Sequence, residues 1–170
     1  MRKWKQESEG KTALLIEGAR RIGKSTVFEA FAKNEYKSYI LIDFSRVSRE
    51  TKELFEDISD LNYLFLQLQL QYKVDLHERN SVIIFDEVQL CPMAQQAIKA
   101  LVEDRRYDYI ETGSLISIKK NVKDILIPSE ERKLSMHPMD YEEFLWAIGD
   151  EATFSLLKKC FEMNQGIGDA

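Results

Sequence analysis

Short apolar runs alternate with helical patterns along most of the chain. The runs that indicate strands cover residues 12–17, 38–43, 81–87, 108–112 and 133–137. The third run is apolar at four consecutive positions, which is typical of a strand buried on both faces in a parallel sheet. Because strands and helices alternate, the pattern predicts an α/β fold with a parallel sheet, helices on both faces and right-handed crossovers.

Helical patterns fill the segments between these runs. Apolar residues recur at helical spacing over residues 61–72 and 92–103, which indicates helices that bury one face. Further helical segments are predicted at residues 26–34, 52–58, 115–127 (mixed, partly helical), 139–148 and 151–163. Residues 1–11 are polar and are expected to lie on the surface, where Trp4 could pack against the body of the protein. We place the core at residues 1–148 and treat residues 149–170 as a C-terminal helix and tail that could begin a second domain.

A phosphate-binding pattern follows the first predicted strand. Residues 18–25 read GARRIGKS and fit G-x-x-x-x-G-K-[ST]. A helix is predicted directly after it, so the free N–H groups of the helix N-terminus would face bound phosphates. We expect Lys24 to reach the β- and γ-phosphates of a nucleotide and Ser25 to hold Mg²⁺. The predicted nucleotide-binding residues are Gly18, Ala19, Arg20, Arg21, Ile22, Gly23, Lys24, Ser25 and Thr26.

Two adjacent carboxylates end the buried third strand. Asp86 follows the apolar run, at a place from which a carboxylate can bind Mg²⁺, usually through water. Glu87 comes next, and a chain that turns at the end of a strand can bring both carboxylates to one cleft. A carboxylate there can orient and polarise the water that attacks the γ-phosphate. We therefore predict a catalytic role for Glu87; the alternative is that it only balances local charge.

Polar residues also end the predicted fourth strand. Thr112 and Ser114 could contact the attacking water or the γ-phosphate, or they could form an ordinary strand-end turn. Gln89 leaves similar alternatives open, because it could reach the edge of the γ-phosphate or merely begin a turn. Of these three residues, Ser114 is taken as a candidate catalytic residue.

Three arginines are candidates for stabilising the charge that develops during phosphoryl transfer, a role that an arginine can fill in cis or from a partner. Arg20 and Arg21 lie within the loop and could face the phosphates, a neighbouring subunit or solvent. Arg132 precedes the fifth predicted strand and could approach the nucleotide from the other side. A second copy of the chain or another protein could also supply an arginine.

Composition and charge place the chain among soluble globular proteins. Apolar residues make up 44% and charged residues 31% of the 170 residues, which suits one domain with its own core. The net charge of −5 gives no general footprint for nucleic acid. Cys91 and Cys160 lack metal-type spacing and suit a reducing compartment. No apolar run approaches the roughly 18 residues that span a membrane, so we expect a cytoplasmic protein without membrane contact.

Four motifs, in this order, resemble those of a known family. They are GARRIGKST at residues 18–26, IFDEVQ at 84–89, TGS at 112–114 and MHPMDYEEFL at 136–145. Together they are similar to the motifs of the prokaryotic AAA-like ATPases, in which the ATPase core precedes a C-terminal domain of unknown function. The resemblance covers most of the chain up to the end of the last motif.

The resemblance implies a three-layer P-loop NTPase core with a five-stranded sheet in the order 5-1-4-3-2. It implies residues 112–114 as a sensor region and Arg132 as the match to a family arginine just before the last core strand. A DNA-handling role is implied by family analogy alone, which is not an argument from a site. Family members are usually much longer, so we expect their second domain to be missing here or reduced to residues 151–170.

The motifs predict Mg²⁺-dependent binding of ATP and its hydrolysis to ADP. A nucleotide-gated interaction module with little hydrolysis is one alternative, and a small-molecule kinase, which shares the phosphate loop, is another. The adjacent carboxylates of Asp86 and Glu87 at a strand end fit the activation of water better than transfer to an acceptor. The guanine-reading motif N-K-x-D does not occur in the sequence, which favours ATP over GTP.

Overall fold

Five parallel strands form the centre of the fold. The computed structural model describes residues 1–114, 131–164 and 166. The strands are β1 (Ala13–Gly18), β2 (Ser38–Asp43), β3 (Ser81–Asp86), β4 (Asp108–Ser114) and β5 (Glu131–Met136). They pair in the order β2-β3-β4-β1-β5, and every neighbouring pair is parallel. This arrangement, read from the opposite edge, confirms the predicted sheet order.

Helices cover both faces of this sheet. The helices of the described residues are α1 (Arg2–Ser8), α2 (Lys24–Glu35), α3 (Arg49–Glu53), α4 (Leu61–Tyr72), α5 (Pro92–Asp104), α6 (Tyr141–Ala147) and α7 (Thr153–Glu162), with a short 3₁₀ turn at Val88–Leu90. On one face, Trp4 of α1 and Phe28 of α2 join the apolar cluster that contains Leu14. On the other face, α4 and α5 join the cluster that contains Ile83 and Phe85. The three-layer α/β architecture is therefore confirmed.

Helix α1 is an element that the hydrophobic pattern did not predict. The polar composition of residues 1–11 predicts a surface segment, whereas Arg2–Ser8 is helical. Trp4 is only 3% exposed, and its indole N–H donates to the Thr12 carbonyl oxygen at 3.2 Å. One buried aromatic side chain docks this helix, and a single apolar position has no periodicity for a pattern search to detect.

Two other predicted helical segments have different outcomes. The helix predicted at residues 52–58 lies instead at Arg49–Glu53. The shift arises because Ser48 caps its N-terminus, where the Ser48 side chain accepts a hydrogen bond from the Thr51 N–H at 3.3 Å. The partly helical segment predicted at residues 115–127 lies outside the described residues.

The Tyr109 side chain brings an unsatisfied hydroxyl into the core. Its oxygen is buried without a hydrogen-bond partner among the described residues, and burial raises the pKa of the phenol well above its ordinary value. Tyr109→Phe removes the unpaired polar atom and keeps the ring, so we expect the free energy of unfolding to rise by up to about 1 kcal/mol. Urea denaturation measures the change, with exposed Tyr63→Phe as a neutral control. A loss of stability above about 1 kcal/mol would contradict this account of the hydroxyl.

The chain divides into two compact units, Met1–Met136 and His137–Ala170. In the second unit, α6 begins with a capping box. The Asp140 carboxylate accepts from the Glu143 N–H at 2.9 Å, and the Glu143 carboxylate accepts from the Asp140 N–H at 3.1 Å. The predicted core boundary at residue 148 stays a prediction.

In the described part of the chain, every helix is too short or too polar to cross a lipid bilayer.

Candidate active site

The phosphate loop joins β1 to α2. At Gly18, a Cβ atom would lie 2.5 Å from the Met136 carbonyl oxygen and 2.7 Å from Ile22 Cδ1, so a side chain does not fit there. Gly23 caps α2 with a φ of 87°, which lies in the left-handed region that favours glycine. The loop therefore leads directly into the N-terminus of a 12-residue helix, whose first N–H groups lack intrahelical acceptors and suit an anion.

Lys24 lies across this loop. Its side chain is only 6% exposed, and its Nζ atom donates to the carbonyl oxygens of Gly18 at 3.1 Å and Ala19 at 2.7 Å. These two acceptors keep the ammonium group at the loop instead of in solvent. Because an ammonium group has three donors, a phosphate oxygen bound in the loop could be its next acceptor.

A chain of hydrogen bonds links α2, β3 and β4. Ser25 Oγ donates to Asp86 Oδ2 at 3.0 Å. The other oxygen of this carboxylate, Oδ1, accepts from the Thr112 hydroxyl and from the Glu87 N–H, the latter at 3.1 Å. Asp86 is 9% exposed and Thr112 is fully buried, since β4 lies beside β3 in the sheet. The Asp86 carboxylate is therefore held with one oxygen directed at Ser25.

Thr112 contacts both members of the acidic pair. Its hydroxyl donates to Asp86 and accepts from the Glu87 N–H at 3.4 Å. The residue is fully buried and does not belong to the lining of the cleft described below, so its side chain supports the acidic pair from within the sheet. The sequence offers one signal for this contact, a polar residue near the end of the strand that lies beside β3. That signal can be interpreted only when the order of the strands in the sheet is known.

Glu87 lies where β3 passes into the 3₁₀ turn. Its φ of 53° and ψ of 44° place it in the left-handed region, which is uncommon for a residue other than glycine. The Leu90 N–H donates to the Glu87 carbonyl oxygen at 2.9 Å and closes the turn. The side-chain amide of Gln89 donates to Glu87 Oε2. This turn brings the Glu87 carboxylate to the same cleft as Asp86.

One cleft of about 200 Å³ joins these groups. Its lining residues are Arg21, Gly23, Lys24, Ser25, Thr26, Asp86 and Glu87. Arg21, with a φ of 63°, is the loop arginine that borders the cleft, whereas Arg20 is exposed and lies outside its lining. Loop and acidic strand end thus face each other across a space large enough for phosphate groups and water.

Two further predicted site residues lie on the strands that flank β1. Ser114 ends β4 and pairs with Gly18, so its backbone borders the phosphate loop. Arg132 is the second residue of β5, not a residue before the strand, and it pairs with Leu14 near the other end of β1. Its guanidinium donates to the Glu7 carboxylate at 2.6 Å. The structure does not bring Arg132 to the cleft. In a parallel sheet the first residues of all strands lie at the same end, and the phosphate loop follows the opposite end of β1.

A phosphate loop between a strand and a helix, facing an acidic strand end, defines the P-loop class of nucleotide-binding proteins. A family model described as the AAA domain matches residues 10–145. The chain belongs to this family, and nucleotide binding by an ATPase-like P-loop core is the general function of the fold. No curated protein matches the chain.

Proposed function

We propose that the chain binds ATP and hydrolyses it with Mg²⁺. The observation that carries this proposal is that Ser25, Asp86 and Glu87 line one cleft together with Lys24. Hydrolysis needs a cation at the phosphates, oxygen ligands for a metal and a carboxylate that can orient water. The four side chains supply these functions within one small space.

Ser25 and Asp86 suit a magnesium ion. Ser25 Oγ and Asp86 Oδ2 lie 3.0 Å apart, so a hydroxyl and a carboxylate oxygen, which belong to the oxygen ligands that Mg²⁺ prefers, are next to each other. In the described part of the chain, no group of three or more His, Cys, Asp or Glu residues could hold a metal. Two protein ligands suit Mg²⁺, because this ion keeps several of its waters and binds the phosphate oxygens of its nucleotide. When bound, Mg²⁺ would neutralise charge on those oxygens.

The chain's own residues would divide the remaining work. The N–H groups of the loop and of the first turn of α2 bind the phosphates, and Lys24 donates to the β- and γ-phosphate oxygens. Glu87 orients a water for in-line attack on the γ-phosphorus and accepts its proton. The bond between the γ-phosphorus and the bridging oxygen breaks, and ADP and phosphate leave. Arg21 borders the cleft, from which it can approach the phosphates.

Phosphate release from ATP tests this proposal. The wild-type protein with Mg²⁺ and no added acceptor should release phosphate, and EDTA should stop the release. Lys24→Ala should reduce it at least about 100-fold, because the developing charge loses a fixed cation. Release without an acceptor would argue against a kinase. Tight ATP binding without release would favour the nucleotide-gated interaction module.

Thr112→Val should slow hydrolysis at least about tenfold and raise the Mg²⁺ concentration that gives the half-maximal rate. The reason is that the Asp86 carboxylate loses the hydroxyl that orients it. Thr112→Ser keeps the donor and should stay within about threefold of the wild-type rate. Steady-state rates over a Mg²⁺ titration measure both variants. A wild-type titration curve for Thr112→Val would show that Asp86 needs no such donor.

A further inference from the structure

Gln89 contacts the Glu87 carboxylate instead of the cleft. Its Nε2 atom donates to Glu87 Oε2, and the side chain is only 6% exposed. The contact is local, since both residues belong to the turn that contains Val88–Leu90. The Leu90 N–H closes this turn on the Glu87 carbonyl oxygen at 2.9 Å, which fixes the backbone between amide and carboxylate.

Packing of the core by itself does not favour an amide side chain at residue 89. Gln89 Oε1 is buried and has no hydrogen-bond partner among the described residues. A buried polar atom left unsatisfied costs about 1–3 kcal/mol. The adjacent Val88 and nearby Cys91 are buried, so a methionine of similar volume would suit the surroundings without that cost. The stability of the core therefore does not account for Gln89, whereas its bond to Glu87 does.

The bond has two consequences for the Glu87 carboxylate. Within the described part of the chain, the Gln89 amide occupies Oε2, so Oε1 is the oxygen that remains to accept a proton from water. In addition, the bond restricts rotation of the side chain, so the orientation of the base is set before the water arrives.

We propose that Gln89 is a positioning residue that holds the Glu87 carboxylate in a fixed orientation. This inference rests on the proposed function, because it gives Gln89 a part in the step that Glu87 would catalyse. Gln89 acts through Glu87 and does not touch the nucleotide. It differs from both roles that the sequence left open, contact with the γ-phosphate and a simple turn.

Gln89→Met and Gln89→Glu test the inference in complementary ways. Methionine keeps the length but removes the donor, so kcat for ATP should fall about tenfold while KM stays within about twofold. Glutamate also keeps the length, but its carboxylate has no N–H to donate to Glu87, so kcat should again fall about tenfold while KM stays within about twofold. Arg21, Lys24 and Asp86, the other charged groups of the cleft, are the same in both variants.

Leu90→Ala is the matched control for these variants. Leu90 belongs to the same turn but is 44% exposed, and its kcat should stay within about twofold of wild type. Circular dichroism shows whether each variant is folded. Gln89→Glu keeps the length and polarity of the natural side chain, and its kcat and KM decide the question if Gln89→Met does not fold.

A Glu87→Gln arm separates the two ways in which the inference can fail. If Glu87→Gln hydrolyses ATP at the wild-type rate, the proposed role of Glu87 fails and the inference fails with it. If Glu87→Gln is inactive while both Gln89 variants keep the wild-type kcat, the inference alone is overturned. A lower kcat at an unchanged KM for both Gln89 variants supports it.

Discussion

Glu87→Gln should lower ATP turnover at least about 100-fold while the affinity for ATP stays within about threefold of wild type. The amide keeps the shape of the side chain but cannot accept a proton from water. Lys24, Ser25 and Asp86 are unchanged, so the groups expected to bind the nucleotide remain in place. The substitution therefore removes an interaction made in the transition state and leaves ground-state binding intact.

Steady-state phosphate release measures kcat for this variant, and calorimetry with a non-hydrolysable ATP analogue measures affinity. Glu103→Gln is the matched control, because Glu103 is exposed on α5 and lies outside the cleft lining. It should keep wild-type turnover and affinity. If Glu87→Gln also keeps turnover within about threefold of wild type, Glu87 has no part in the mechanism.

Phe85→Ala should lower the free energy of unfolding by about 3–5 kcal/mol. Phe85 is fully buried on β3, and its ring centroid lies 5.8 Å from that of Phe44, 5.5 Å from that of Phe55 and 6.3 Å from that of Tyr109. Removal of the ring leaves a cavity that the surrounding strands can close only in part. Because Asp86 follows directly, we expect ATP hydrolysis to fall in the same variant.

Phe161→Ala removes the same atoms from an exposed position and is the matched control. Phe161 lies on α7 and is 87% exposed, so its loss should change stability by less than about 0.5 kcal/mol. Urea denaturation followed by circular dichroism compares the two variants. Phe85→Leu, with an intermediate expected loss, extends the comparison if Phe85→Ala is too unstable to purify. A loss below about 1 kcal/mol for Phe85→Ala would contradict the central place of this ring in the core.

The sheet and the phosphate loop could be predicted because their signals are local. The apolar run of β3 and the two glycines of the phosphate loop, Gly18 and Gly23, each act on their immediate neighbours, so short windows of sequence suffice. The strand order needed more, since periodicity does not say which strands pair. It followed from the resemblance of four motifs to a family, and the observed pairing of β4 between β1 and β3 agrees with it.

Contacts between distant segments could not be predicted in this way. Thr112 meets Asp86 only because β4 lies beside β3, which no local pattern encodes. The bond from Gln89 to Glu87 depends on a left-handed backbone at Glu87, a conformation that residues other than glycine seldom adopt. Arg132 shows the effect of a small error in the predicted start of a strand. Because β5 begins at Glu131, Arg132 lies near the N-terminal end of β5, and its guanidinium pairs with the Glu7 carboxylate.

Single-turnover hydrolysis tests the central claim most directly. The protein is held in excess over radiolabelled ATP with Mg²⁺, and labelled phosphate is followed over time in the wild type and in Glu87→Gln. The account predicts that the wild type converts bound ATP to ADP and phosphate at least about 100-fold faster than Glu87→Gln, which keeps its ATP bound and intact. Conversion by the wild type at only the uncatalysed rate, with ATP tightly bound and Mg²⁺ present, would contradict the account.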